Sequence, residues 1–279
     1  MKTVLITGAG RGIGKASALH LARDGWKVYA GVRKPEDGEA LVAEAGDAVV
    51  PLQLDVADDA QIEAAAAALP DQLDAVVNNA GIAIDGPVEA LTRERMREQF
   101  EINVFGAVAV TRAVLPKIRA AGGRIVFISS VSGRVATPWT GAYNGSKFAL
   151  EGIADSLRIE LRPWKIKVSL VEPSNTATDM WGDAGDVFEE TLASLTPEEA
   201  QLYSGHAKGM RRTIGVMQKT AVPTANVVKR INAALTDRRP KARYPVGVPS
   251  RMQLVMAALS PRPLQDMTLA LATGVPRKA

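Results

Sequence analysis

The sequence predicts a single doubly wound α/β domain, with a parallel sheet of about seven strands and helices on both faces. Three observations predict it. Short β-branched runs alternate with Ala-rich amphipathic segments along the chain. The runs are apolar almost throughout, as strands covered on both faces are. The first run passes directly into a glycine-rich turn that opens a helical segment. The 279 residues can bury a substantial core, and no linker, repeat or charge block divides them.

Strands are expected at 2–6, 27–32, 49–54, 73–77, 124–128, 167–171 and 242–246, each a short β-branched or apolar run. Helices are expected near 13–24, 36–45, 58–69, 92–120, 142–162 and 224–237, where apolar residues recur at helical spacing. The alanine run 64–68 reads as helix propensity. Residues 174–223 break the rhythm, with about fifty residues and no clear strand. A connection that long inside a compact domain is usually a lid or binding segment, so 180–220 is expected to cover a ligand. Its glycines, Gly182, Gly185, Gly205, Gly209 and Gly215, would serve as hinges. Residues 249–279 form a C-terminal extension with Met, Leu and Ala at helical spacing and prolines at 261 and 263.

Composition excludes several classes. Hydrophobic residues make up 47% and charged residues 23%, as in an ordinary globular protein. There is no cysteine, so disulfides, thiolate catalysis and cysteine-bound zinc are excluded. The two histidines, His20 and His206, are far apart, and no metal site is expected. The net charge of +4 is spread along the chain and does not imply a nucleic-acid partner. The opening apolar run is too short for a signal peptide, and no stretch approaches the ~18–20 apolar residues of a membrane span. Cytoplasmic residence is expected.

The first strand enters Thr7-Gly8-Ala9-Gly10-Arg11-Gly12-Ile13-Gly14. Glycines let a backbone approach a pyrophosphate, and the following helix N-terminus offers free N–H groups. By themselves they also fit a plain turn. An acid usually closes the second strand of a fold that binds NAD. Here Val32 and Arg33 stand at that tip, and no acid appears before Glu36. A guanidinium suits a 2′-phosphate, and Arg11 can reach the same group, so NADP(H) is the expected cofactor. Asp55, followed by Val56, closes the third strand where it can accept from an adenine amino group. Asn78-Asn79-Ala80-Gly81 closes the fourth, where small and amide residues let the adenine ribose approach.

Tyr143 and Lys147 are four residues apart and share a helix face. A free phenol titrates near 10, and a neighbouring ammonium should bring it down. The pair alone is also an ordinary exposed helix pair. Ser130, thirteen residues earlier at the end of the fifth strand, adds a hydroxyl at the same sheet edge as the glycine loop.

Together these residues resemble the short-chain dehydrogenase/reductase family, whose domain is of Rossmann type. Thr7–Gly14, Asn78–Gly81, Asn103, Ser130, Tyr143, Lys147 and the Glu172-Pro173 turn fall in the family's order. The resemblance covers about residues 1–178 closely. It implies Tyr143 as general acid or base, Lys147 lowering its pKa and holding the nicotinamide ribose, and Ser130 polarising the substrate oxygen. It implies that Asn103 kinks its helix and holds a water that relays protons to Lys147. It implies cofactor contacts from Gly8, Arg11, Gly12, Ile13, Gly14, Arg33, Asp55, Val56, Asn79, Ala80, Gly81, Tyr143, Lys147, Pro173 and Thr178. Members with basic residues at the Arg11 and Arg33 positions typically use NADP. One departure is Ser174, where the family usually has glycine after the proline.

The implied reaction interconverts a secondary alcohol and a ketone. The insert carries Met180, Trp181, Phe188, Leu192, Leu195, Tyr203, Met210, Ile214 and Met217, and Trp139 precedes the tyrosine. A pocket so lined suits a lipophilic substrate, and this part resembles the steroid- and retinol-type members. Substrate contacts are expected from Ser130, Trp139, Tyr143, Trp181 and Phe188. These apolar side chains also fit simple packing of the lid. A 3-oxoacyl thioester is the alternative, with Lys208, Arg211, Arg212 and Lys219 meeting its phosphates. A non-catalytic NADPH-binding protein would not need Asn103, Ser130, Tyr143 and Lys147. The tail 254–271 suits weak association with a bilayer interface, a subunit contact or closure of the pocket. Apolar residues on more than one helix face, Phe100, Val104, Val108, Phe148, Ile153 and Leu157, predict a homodimer or homotetramer.

Overall fold

A computed structural model of the chain describes residues 1–178 and 182–276, without the side chains of residues 248 and 249. Seven strands form one parallel sheet: β1 (Thr3–Thr7), β2 (Lys27–Val32), β3 (Val49–Gln53), β4 (Ala75–Asn78), β5 (Arg124–Ile128), β6 (Lys167–Glu172) and β9 (Arg243–Pro245). Their order is β3-β2-β1-β4-β5-β6-β9. The chain starts in the middle, builds outward to β3, then crosses back to β4. The switch between β1 and β4 opens a crevice at the carboxyl edge, where ligands of open α/β sheets bind.

Alternation along β1 divides the core. Val4 and Ile6 face a layer closed by α1 (Gly12–Arg23), α2 (Pro35–Ala45) and α10 (Thr224–Thr236), through Leu21, Leu41 and Ile231. Leu5 faces the opposite layer of α3 (Asp59–Ala68), α5 (Ala107–Ala121) and α6 (Gly141–Glu160), through Ile62, Ile118 and Leu150. Asp58 caps α3 by accepting from the Ala60 and Gln61 N–H groups, which otherwise lack helical partners.

The helix expected over 92–120 is not uniform. It runs as α4 (Arg93–Phe100), a π-helical segment (Glu101–Gly106) and α5. The wider turn places Asn103 and Val104 inward, with Val104 3% exposed. Phe105 is 57% exposed and Phe148 39% exposed. Thus Phe105 rather than Val104 adds to the outer apolar surface.

The long insert contains more order than the sequence suggests. A two-residue strand β7 (Thr176–Ala177) pairs in parallel with β8 (Val222–Pro223). Between them stand α7 (Ala184–Ser194), α8 (Pro197–Leu202) and α9 (Ser204–Lys219). These helices form a cap with its own core of Trp139, Phe188, Ala207, Met210 and Ile214. The extension forms α11 (Gly247–Leu259) and α12 (Arg262–Thr273). The end of α12 packs on α9: a side chain at Gly209 would lie 2.4 Å from Thr273 O. Gly205 packs in the same way against Pro276. Two of the five glycines expected as hinges, Gly205 and Gly209, are thus sites of close packing. Among the described residues no helix is long and apolar enough to cross a membrane.

Candidate active site

The glycine loop is shaped by the β4 end beside it. Gly8 has φ +62, and a side chain there would lie 2.9 Å from Ala80 Cα. One at Gly14 would lie 2.1 Å from Gly8 O. Asn79 locks the loop, donating from Nδ2 to Thr7 O at 2.9 Å and Gly8 O at 3.0 Å. The Thr7 hydroxyl accepts from both Asn79 N and Ala80 N, each at 3.0 Å. The Asn-Ala-Gly turn is therefore the buttress of the phosphate-type loop, and the first helix opens at its rim.

A cleft of about 340 Å³ runs along this edge. It gathers Gly8, Arg11, Gly12, Ile13, Arg33, Asp55, Val56, Asn79, Ala80, Gly81, Ser130, Tyr143, Lys147, Pro173 and Thr178. Gly14 lies behind it, packed on Gly8 O. The cleft also includes residues absent from the sequence expectation, among them Gly10, Lys34, Asp37, Ile82 and Ser174. Asp37 lies in the first turn of α2, and a side chain at Gly10 would meet its Oδ2 at 2.5 Å. Reading one helical turn past Arg33 would have found both Lys34 and Asp37. Ser174 keeps a negative φ, so its turn does not need glycine.

Tyr143 and Lys147 stand on α6, one turn apart. Lys147 Nζ donates to Ile128 O at 2.8 Å and lies 5.6 Å from the Tyr143 ring centre. Burial lowers the Lys147 ammonium to about 8, opposed by the charge of Glu151. Burial raises the Tyr143 phenol above its usual value, a Ser130 hydrogen bond pulls it down, and Asp85 pushes it up. In the protein alone the phenol lies above its usual value, because burial disfavours the phenolate more than the Ser130 hydrogen bond favours it.

Asp85 was not singled out in the sequence. Burial raises it to about 6. Its neighbours are pinned, with Ile84 N–H on Gln99 Oε1 at 2.7 Å and Gly86 N–H on Trp139 O at 2.7 Å. Nothing near it in sequence marked this aspartate, because its effect on Tyr143 arises across the fold.

Asn103 occupies the π-helical segment, so the kink is present. Its side chain is committed to structure: Oδ1 accepts from Ile82 N at 2.8 Å, while Nδ2 donates to Ile82 O at 2.9 Å and Ser146 Oγ at 3.1 Å. Ile102, rather than Asn103, lines the cleft. Asn103 is here a positioning residue that fixes the wall after Gly81.

Trp139 and Phe188 do not line this cleft. Their rings pack on each other at 5.1 Å inside the cap, with Tyr203 at 5.8 Å from Trp139. Phe188 is 2% exposed and Trp139 4%. Their apolar surface is taken up largely by the cap core, away from this cleft. Trp139 also holds φ 68, strained for a bulky residue, at the entrance to α6. Trp181 lies outside the described residues.

The chain matches the family model for short chain dehydrogenase over residues 2–187. It is 38% identical over 275 residues to the uncharacterized oxidoreductase YbbO of Escherichia coli (strain K12), covering 96% of this chain and 94% of that protein. It is 34% identical over 263 residues to the mitochondrial D-beta-hydroxybutyrate dehydrogenase of Bos taurus, covering 87% and 76%. A short-chain dehydrogenase structure from Streptomyces avermitilis superposes with TM-score 0.79 at 28% identity, covering 99% of this chain and 98% of that one. One from Burkholderia cenocepacia, in complex with NADP, gives 0.73 at 25% identity, covering 99% and 100%.

Proposed function

The chain belongs to the short-chain dehydrogenase family and is an oxidoreductase acting on CH–OH groups, and on that premise we propose that it interconverts a lipophilic secondary alcohol and its ketone with NADP(H). The observation that carries the reading is the convergence of Ser130, Tyr143 and Lys147 at one end of a cleft that continues to Arg11, Arg33 and Lys34.

The residues fit a dinucleotide phosphate. Side chains at Gly8, Gly10 and Gly14 would collide with Ala80, Asp37 and Gly8 O, so the loop is kept as bare backbone at the start of α1, where free N–H groups suit a pyrophosphate. Three cations face one carboxylate, Asp37, at the end of β2, which favours an added 2′-phosphate. Asp55 and Val56 would border the adenine, Asn79 to Gly81 the ribose, and Pro173 and Thr178 the nicotinamide end. When bound, the cofactor supplies or accepts the hydride. Tyr143 gives or takes the proton at the substrate oxygen, Ser130 donates a hydrogen bond to that oxygen, and Lys147 presents positive charge beside the phenol.

Ile82 and Ile102 give the cleft apolar walls suited to a lipophilic carbinol. Asp85 acts on Tyr143 from the same region and would repel an anionic substrate, which separates this reading from a hydroxy acid. The 3-oxoacyl thioester reading is weaker: Lys208, Arg211, Arg212 and Lys219 are exposed outside the cleft, and Arg211 is held by Glu189 at 2.6 and 2.8 Å. A purely NADPH-binding role would leave the assembled Ser130, Tyr143 and Lys147 without a use. Cytoplasmic residence and a homo-oligomer complete the reading.

The test is a panel of steroids, retinoids, short ketones, hydroxybutyrate and 3-oxoacyl thioesters, followed at the nicotinamide absorbance band. Turnover of lipophilic alcohols or ketones is expected, and Tyr143→Phe should lower it by about 10²–10⁴ with NADPH affinity retained. Tight NADPH binding with no turnover on any compound would leave the binding-protein reading in its place.

A further inference from the structure

Behind Lys147 lies a buried charge cluster that the reaction above does not use. Glu151 follows Lys147 by one turn of α6 and is 6% exposed, while Glu172 closes β6 and is 0% exposed. Neither lines the cleft. Both meet the same guanidinium nitrogen: Arg243 Nε donates to Glu151 Oε2 at 2.9 Å and stands 3.5 Å from Glu172 Oε1. The other arm of Arg243 bonds Asp155 at 2.7 Å, and Arg134 stands 3.7 Å from Glu172. Glu151 Oε1 and both oxygens of Glu172 are buried and short of well-aligned donors among the described residues, with Ser129 as the nearby donor for Glu151 and Arg134 for Glu172.

The cluster adjoins the catalytic segment, because Glu151 stands one turn after Lys147 on α6. A side chain at Gly133 would lie 2.9 Å from Glu151 Cγ and from Ser129 Oγ, and 3.1 Å from Lys147 O. The facing groups are Lys147 and Asp155 from α6, Ser129 from the end of β5, Arg134 from the following turn, and Arg243 from β9. Helix α11 brings Ser250 to the interior, where its hydroxyl is committed to Val246 O. Two buried carboxylates that share the Arg243 guanidinium, with the more exposed Arg134 beside Glu172, resist ionising together and titrate as a pair. Burial raises Glu172 to about 7, with the charge of Glu151 pushing the same way and Arg134 and Arg243 opposing. Glu151 in turn opposes loss of the Lys147 proton.

We propose that Glu151 and Glu172 are positioning residues that act through Lys147, as a buried carboxyl pair that holds a proton and sets the charge the lysine presents in the cleft. The inference rests on the role of Lys147 given above. As pH rises through neutrality Glu172 gives up its proton, and the pair passes from one negative charge to two. The added charge holds the Lys147 ammonium as the solution becomes basic. A merely structural ion pair would affect folding and turnover alike at every pH.

The experiment combines infrared difference titration with pH profiles of NADPH binding and of kcat/KM for the wild type, Glu172→Gln and Glu151→Gln. The wild type should show a carboxyl ionising between about pH 6 and 8, absent from Glu172→Gln. The basic limb of NADPH binding should move acidward by about one pH unit in Glu151→Gln and by less in Glu172→Gln. Glu172→Asp should restore the ionisation. The infrared titration of the wild type needs neither a folded variant nor turnover. If no alcohol or ketone is turned over, the catalytic reading fails while the infrared and binding titrations still decide the pair. No carboxyl besides Asp85 titrating in that range, or coincident basic limbs in all three proteins, overturns the proposal.

Discussion

Replacing Arg33 with alanine removes one of three cations at the end of β2. The backbone there is secured independently of the side chain, because Gln53 Nε2 donates to Arg33 O at 2.7 Å. The substitution should therefore leave the strand tip in place and remove only the guanidinium. A charge-assisted hydrogen bond contributes roughly 1.5–3 kcal/mol, or about ten- to a hundredfold in affinity. Arg33 is exposed, and Arg11 and Lys34 remain beside it. Screening and this redundancy place the expected loss near the lower end, about tenfold for NADP(H) at physiological salt and larger at low salt. NAD(H), lacking the 2′-phosphate, should be nearly unaffected. Asp37 supplies the opposing control: Asp37→Asn removes the carboxylate packed against Gly10 and should tighten NADP(H) several-fold, to about the extent of a screened like-charge contact. The assay is fluorescence titration with NADPH and NADH at two salt concentrations. Equal losses of both cofactors in Arg33→Ala, independent of salt, would refute the phosphate assignment.

Asp85→Asn should lower the pH at which Tyr143 supports alcohol oxidation, because the carboxylate raises the phenol. The folded-state value of Asp85, about 6, lies above its ordinary 3.8, so the native state binds the extra proton and loses stability as pH rises through this interval. Removing the charge should raise stability relative to wild type progressively from about pH 4 to 6, with the gain persisting above, by up to roughly 3 kcal/mol; a constant Tm difference across that range would count against it. Phe188→Ala should loosen the cap at a cost of roughly 3–5 kcal/mol and raise KM for a bulky substrate more than for a small ketone. Hydrogen exchange of residues 182–219 should fall on adding NADP(H) and substrate, and equal protection in both states would make the cap a fixed element. The exposed Phe105 and Phe148 predict a dimer or tetramer by light scattering, with Phe105→Glu shifting it to smaller species; a wild-type monomer at micromolar concentration would contradict this.

Much of the fold was legible because its signals are local. The apolar runs at 27–32 and 124–128 coincide with β2 and β5, since a strand buried on both faces has little choice of composition. Tyr143 and Lys147 share a face by helical geometry alone. The glycines of the first turn and the serine ending β5 needed only the direction of the chain to be placed at one edge. The family motifs therefore named more than half of the residues that line the cleft between Gly8 and Thr178, and missed side chains such as Asp37, Ile82 and Ile102.

What the tertiary structure alone decided depends on residues remote in sequence. Helical periodicity does not reveal the π-helical turn at Glu101–Gly106; the side chain of Asn103 is drawn to Ile82. Amino-acid type suggested hinges at Gly205 and Gly209, but α12 closes on them from the far end of the chain. Trp139 and Phe188 read equally well as substrate contacts or as packing, and only the three-dimensional arrangement puts their rings against each other. The charges of Glu151, Glu172 and Arg243 acquire meaning when β6, α6 and β9 meet, because burial converts ordinary surface-type residues into a coupled pair. Sequence by itself pointed to the strands of the main sheet, most of the helices beside it, the sheet edge and the candidate reacting groups, since spacing and composition act within a turn or a strand. Desolvation and long-range packing determined which side chains reach the cleft and what charge they carry there, since both depend on neighbours that only the folded chain brings together.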